Sequence, residues 1–407
     1  MNKLISLYDD KSILEIQTPK AEEFIKNIID YAIGNRASDI HFEPYDKYIL
    51  IRLRIDGELI FFKKINKNAY QNIVNIIKIK ADCDTAIKFA PQDGRFSHGD
   101  VDLRVSFIEA IYGEKICIRI LNNKEMFTID NIGLSDKAKE LFKKIVNYKY
   151  QMTIITGPTG SGKNSTMYTI LNNLDKAHLS IVSVEDPVEY RVNDIDQIEI
   201  HDYKDITFAN TLRAILRQDP DVIAIGEIRD EDSAQIAVRA SLTGHKIITT
   251  LHSMSPVTSI NRLLEMKVEA SYLFTSLNAI INQRLVKRLK SSYENYEFID
   301  DNVEDNKYYG RIAVFEILLI NDNIRDLLLK NNSKLTSEIY NQMKELADYV
   351  SFEDSINYLL ENKFIDEKTY ADFKEGDINE IWCYFWRWQA WECTRKKYLW
   401  SIFKYKR

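Results

Sequence analysis

One stretch restricts the folding of this 407-residue chain more than any other: Gly157-Pro158-Thr159-Gly160-Ser161-Gly162-Lys163, behind an apolar run and ahead of a helical one. Its glycines let successive backbone N–H groups turn inward around an anion, and the helix behind them adds the positive end of its dipole. Strand before and helix after is the context a phosphate-binding loop requires. Gly157 through Lys163, with Asn164 and Ser165, are the candidate nucleotide-binding residues, and Lys163 is placed to reach β- and γ-phosphates. One position departs from the pattern. Asn164 stands where a Ser or Thr hydroxyl normally ligates Mg²⁺. An amide oxygen can bind Mg²⁺, but it sits one bond further from the backbone, and the ion demands near-ideal octahedral geometry. Ser165 and Thr166 carry hydroxyls about 100° and 200° further round the helix. A misplaced ion that forfeits ~2–4 kcal/mol of transition-state stabilisation costs roughly 30- to 1000-fold in rate. Nucleotide binding is expected to survive; hydrolysis is in question.

From Gln151 onward, short apolar runs (MTIIT, SIVSVED, DVIAIGE, KIITTLH) alternate with helical stretches. Such a pattern indicates a parallel sheet covered on both faces, here over residues 151–290. Ahead of it, Phe24, Ile25, Ile28, Ile29, Ala32 and Ile33 recur at helical spacing up to Gly34. Alternation through Ile49, Ile51, Leu53 and Ile55 reads as a strand, and Asp56-Gly57 as a hairpin turn. Residues 69–81 read as a helix, and further strands follow with Gly94, Gly99 and Gly113 at their turns. Residues 16–121 are thus a smaller mixed α/β domain, and 122–150 a linker and first helix. An acidic stretch over 291–308 reads as an exposed loop, and 309–380 as a strand followed by proline-free helices.

Three segments carry candidate chemistry. Glu185, Asp186 and Glu189 end a buried strand, where α/β sheets place their reactive groups, although strand-end carboxylates are often merely solvated. Val222 to Ile225 form a second buried strand, and Gly226 then lets Glu227 come close enough to hold an Mg²⁺ shell. His245 and His252 bracket a third. No further ligand at suitable spacing makes these histidines a metal site.

Taken together, GPTGSGK, VEDPVEY at 184–190, LRAILRQDPDVIAIGEIRD at 212–230 and LTGHKIITTLH at 242–252 resemble the secretion ATPases. These are the motors of type II secretion, type IV pilus assembly and competence pseudopili. ASDIHFEP and PQDGR match that family's N-terminal domain, and the resemblance runs from about residue 20 to 320. It implies an α/β architecture: a RecA-like P-loop NTPase core, preceded by a PAS-like mixed α/β domain and followed by a helical C-terminal part. It implies ATP and Mg²⁺ as cofactors, with Glu189 activating water, Glu227 in the metal shell, and Asn164 and Glu185 supporting the metal. His252 is implied as a γ-phosphate or water contact, and His245 as a sensor at a subunit interface. Arg95, Arg104 and Arg119 are the implied positive charges around the γ-phosphate, delivered across a domain or subunit interface. The implied assembly is a homohexamer, peripheral on the cytoplasmic face of a membrane and working through an integral platform protein.

Departures narrow the expectation. Many members carry two CxxC pairs after the QRLVKRL segment; here Lys290-Ser291-Ser292 follow it and no cysteine lies between Cys117 and Cys383, so no zinc is expected. The chain begins almost at the ASDIH domain, so the extra docking domain of long members is expected to be missing, as in short members. A formal charge of −6 and the lack of a basic stripe argue against a nucleic-acid translocase built on the same core. That average is misleading at one end. All five tryptophans lie between Trp382 and Trp400, and the tail over 381–407 is strongly basic. The tail fits no feature of the family. Two functional expectations result: an ATP-hydrolysing motor for pilus assembly or secretion, or a nucleotide-binding but hydrolysis-impaired subunit of the same machine.

Overall fold

The computed structural model describes residues 13–14, 20–121, 128–200, 207–292, 307–331 and 335–376. Its first unit comprises β1 (Ile13–Leu14), α1 (Ala21–Gly34), β2 (Ala37–Pro44), β3 (Ile49–Ile55), β4 (Glu58–Ile65), α2 (Tyr70–Lys80), β5 (Gln92–His98), β6 (Val101–Ala110) and β7 (Gly113–Leu121). The strands form one sheet in the order β1-β4-β3-β2-β7-β6-β5, antiparallel except where β1 meets β4. Alternation sorts the two faces. Ile40, Phe42, Leu103, Val105, Phe107, Ile116 and Ile118 point into a core shared with α1 and α2. The opposite face carries the charged residues, among them Asp39, Arg54, Arg104 and Arg119.

The second unit runs α3 (Asp136–Asn147), β8 (Gln151–Thr156), α4 (Lys163–Asn172), β9 (Ile181–Glu185), β10 (Asp196–Glu199), α5 (Phe208–Ile215), β11 (Val222–Ile225), α6 (Glu231–Leu242), β12 (Lys246–Leu251), α7 (Pro256–Glu265), α8 (Ala270–Ser276), β13 (Leu277–Leu289), β14 (Tyr308–Leu319), α9 (Asp322–Lys330), α10 (Ser337–Leu346), β15 (Tyr349–Val350) and α11 (Phe352–Glu361). Its sheet has the order β10-β9-β11-β12-β8-β13-β14-β15, parallel from β10 to β13 and antiparallel beyond. Both faces are buried. On β11, Ile223 and Ile225 pack under α5 to α8, while Val222 and Ala224 pack under α3 and α4.

The core sheet reaches beyond the 151–290 limits expected from the sequence. β14 pairs with β13 from Ala279↔Leu319 to Leu289↔Tyr308, and β15 adds a further strand beside it. α3 packs on the same sheet through Leu141, Phe142 and Ile145. An acidic connection looks like a boundary in sequence, yet antiparallel pairing spans it. Most of that connection, and the 381–407 tail, lie outside the described residues. No helix among the described residues is long and apolar enough to cross a membrane.

The two units meet through polar contacts. Lys287 pairs with Glu58 at 2.7 Å, Arg191 with Asp102 at 3.3 Å, and the Gly310 N–H donates to Asp56 at 3.1 Å. No apolar cluster among the described residues draws members from both units.

Candidate nucleotide site

The parallel strands β8, β9, β11 and β12 end side by side, and each delivers a candidate residue from its C-terminal end, as open α/β sheets do. After β8 the chain turns through the phosphate loop, with Gly157 at φ 150° and Gly162 at φ 82°. Space as well as dihedral forces glycine here. A Cβ at Gly157 would lie 2.4 Å from the Gln283 carbonyl, and one at Gly162 2.9 Å from the Gln283 amide. Gln283 is buried beneath the loop and accepts a hydrogen bond from Thr166 at 2.6 Å. The Ser161 hydroxyl is buried without a hydrogen-bond partner among the described residues, leaving unused hydrogen-bonding capacity inside the cradle. An orphaned hydroxyl in a glycine cradle at a helix N-terminus fits a polyphosphate.

Lys163 is only 6% exposed and folds back on its own loop, donating to the carbonyls of Gly157 at 3.0 Å and Pro158 at 2.9 Å. Burial pushes its ammonium down to about 8, against the pull of Glu227 and Glu189. Its third neighbour is His252 Nδ1 at 3.3 Å, while His252 Nε2 lies 3.2 Å from Glu227. That network assigns the Nε2–H tautomer, accepting from Lys163 and donating to Glu227. Burial and the Lys163 charge hold the imidazole below its ordinary range, hence neutral at pH 7. The other Glu227 oxygen is paired with Arg229, which also reaches Asp186 at 2.8 Å. The Asn164 side chain makes no hydrogen bond among the described residues.

The two acids of the β9 end differ. Glu185 is 2% exposed and accepts from Tyr168, from Ser183 at 2.6 Å and from Gln197 at 3.2 Å. Burial raises its carboxyl, and three protein donors hold it in place. Glu189 is the opposite case. It has no hydrogen-bond or ion-pair partner among the described residues, and its charge acts on Lys163 from one side and Arg119 from the other.

The first unit faces this region with a row of side chains. Arg95, Arg104 and Arg119 sit directly opposite one another on β5, β6 and β7, and the row continues through Asp39 on β2 to Arg54 on β3. Like charges placed opposite in a sheet are destabilising. Arg95 finds relief from Glu199 at 2.8 Å and Arg119 from Asp39 at 3.0 Å. The central Arg104 has no hydrogen-bond or ion-pair partner among the described residues. Between row and core lies a cleft of about 270 Å³, lined by Arg95, Asp102, Glu189, Arg191 and Glu199. Elsewhere, the β12 start places His245 Nδ1 3.0 Å from the Ala240 carbonyl, at the sheet end away from the loop.

Comparison with known proteins identifies the family and the fold. The description Type II/IV secretion system protein covers residues 16–361 of the chain. The chain belongs to this family. Type II secretion system protein E of Pectobacterium carotovorum is 36% identical over 358 residues, covering 82% of this chain and 70% of that protein. The type IV pilus assembly ATPase PilB of Thermus thermophilus is 35% identical over 366 residues, covering 83% of this chain and 40% of that much longer protein. Among solved structures, the pilus retraction motor PilT with bound ADP matches with a TM-score of 0.62 at 25% identity, over 86% of this chain and 96% of that one. The Legionella pneumophila ATPase DotB shares the fold with a TM-score of 0.67 at 20% identity, over 90% of this chain and all of that one.

In this secretion-system protein the sequence signals and the structure converge unevenly. Lys163, His252, Glu227 and Glu189 gather around one loop, and the three arginines form one row. Gln283, Arg229 and Tyr168 carry much of the local geometry although none of them is among the candidate site residues. Only their neighbourhood to the loop, 117 residues away for Gln283 to Thr166, reveals them.

Proposed function

We propose that this chain is an ATP-hydrolysing motor subunit of a pilus-assembly or secretion machine, acting on MgATP at the loop after β8. The observation that carries the reading is the two-sided site: a phosphate loop with Lys163, Glu189, Glu227 and His252 on one unit, and the Arg95–Arg104–Arg119 row on the other. Lys163 leaves its own carbonyls for the β- and γ-phosphates. Glu189, unpaired, takes a proton from the attacking water, and His252 orients it. The arginine row offsets charge on the γ-phosphoryl group as it transfers, so hydrolysis and the relative position of the units depend on each other. Asn164 and Glu227 would hold the Mg²⁺ that accompanies ATP, which would supply positive charge to the phosphates. Six copies form a ring on the cytoplasmic face of the membrane, and an integral platform protein receives the motion. A second reading, a subunit that binds nucleotide but hydrolyses it poorly, is favoured by Asn164, whose amide replaces the customary hydroxyl.

Steady-state hydrolysis and fluorescent-nucleotide binding, with and without Mg²⁺, test both readings on the full chain beside Lys163→Ala and Asn164→Thr. The motor reading expects Mg²⁺-dependent turnover that Lys163→Ala abolishes. Turnover only in Asn164→Thr selects the impaired subunit. If both proteins bind ATP and neither hydrolyses it, the motor reading falls.

A further inference from the structure

Tyr168 takes no part in the chemistry above, yet it touches both halves of the site's core side. It lies on α4, little more than one turn beyond Lys163, and is 4% exposed. Its hydroxyl donates to Glu185 at the end of β9 and accepts from the Tyr190 N–H at 3.4 Å. Its ring meets the Tyr190 ring edge-on, with centroids 5.3 Å apart. Gln197 completes the ring of contacts. Its amide donates to Glu185 at 3.2 Å and to the Tyr190 carbonyl at 2.8 Å, while its oxygen accepts from the Val192 N–H at 2.7 Å. Glu185 is held from its own strand by Ser183 at 2.6 Å. Glu189 sits on the segment these contacts tie down, immediately before Tyr190.

We infer that Tyr168 is a positioning residue for Glu189: its hydroxyl couples the helix behind the phosphate loop to the segment that presents the water-activating carboxylate. The inference rests on the reading that Glu189 activates water. Its physical basis is that α4 and the 186–192 segment share no backbone ladder. Side chains therefore link the two directly: the Tyr168 hydroxyl meets the Tyr190 N–H within the segment and the Glu185 carboxylate at its start. A buried phenol and carboxylate in contact form a strong bond. Small displacements of a reacting group cost large factors in rate while leaving binding alone.

The test is Tyr168→Phe, which keeps the ring and removes the bridge, read in the full chain. Expected is a fall in kcat of about ten- to hundredfold, with the ATP dissociation constant held within about twofold. In the Glu189→Gln background the same change is expected to add almost nothing, because both act through one carboxylate. Hydrogen exchange is expected to quicken at the amides of Val188, Tyr190 and Val192. Glu185→Gln, which keeps an oxygen acceptor but loses the charge, is expected to cost less than Tyr168→Phe. Unchanged exchange, an undiminished effect in Glu189→Gln, or a larger loss in Glu185→Gln than in Tyr168→Phe overturns the inference. Where the parent does not turn over, the rates are read in Asn164→Thr. If that protein is also inert, the motor reading falls, and the exchange measurement alone decides whether the bridge holds the segment.

Discussion

Lys163 donates to two carbonyls of its own loop and is buried enough that its proton is held at about 8. A polyphosphate favours the ammonium, so binding above that pH requires proton uptake. Affinity for ATP should be flat below pH 8 and then fall, tending to about tenfold per pH unit. Calorimetry in buffers of different ionisation heat should register uptake of up to one proton near pH 9, absent in Lys163→Ala. His252 titrates with the opposite consequence. Burial and Lys163 favour the neutral ring, so protonation sets in only below the ordinary value of 6.5. A protonated ring loses the lone pair that accepts from Lys163, and turnover should drop on acidification below that value. The pH–rate profile of His252→Gln should lack this acid limb. At this scale the sequence marks Lys163 and His252 as candidate nucleotide contacts. It does not mark what they hold, because Gly157, Pro158 and Glu227 meet them only through the fold.

The arginine row belongs to the scale of elements. Each arginine was legible singly, but their alignment depends on the register of two hairpins. That register is set by Leu103, Val105 and Phe107 facing the core, with Gly99 and Gly113 at the turns in left-handed conformations. A slip of one residue would turn every arginine inward. Arg104 is flanked by two like charges and has no hydrogen-bond or ion-pair partner among the described residues. Arg104→Ala should lower kcat by roughly 100- to 1000-fold, as loss of a charge-stabilising donor does. The same variant should be more stable by a few tenths to about 1 kcal/mol, since opposed like charges are relieved. Thermal melts and turnover on one preparation check both signs. An element also explains the misplaced boundary. β14 read as part of a separate C-terminal segment because the acidic connection hides its pairing with β13.

At the scale of the molecule, the change of pattern near residue 121 separates in the sequence what the fold builds as two sheets. It did not reveal which faces meet. Lys287 and Glu58, or Arg95 and Glu199, are ordinary surface residues until the units are docked. Ion pairs of this exposure weaken as the screening length shortens, from about 10 Å at 0.1 M to about 3 Å at 1 M salt. Small-angle scattering should accordingly show a larger radius of gyration at high salt without nucleotide, and less change with a non-hydrolysable ATP analogue bridging the cleft. Charge reversal at Glu58 should mimic salt.

That no apolar cluster among the described residues spans this joint reaches into thermodynamics. Heat capacity changes come chiefly from apolar surface entering or leaving water. A joint closed mainly by polar contacts, with the Arg36 guanidinium over the Tyr309 ring, changes little of it. The balance between open and closed units should then follow a nearly straight van't Hoff line, with an almost constant enthalpy. A machine geared through such a joint would keep nearly the same stroke from a cold habitat to a warm one, while its chemistry alone set the pace.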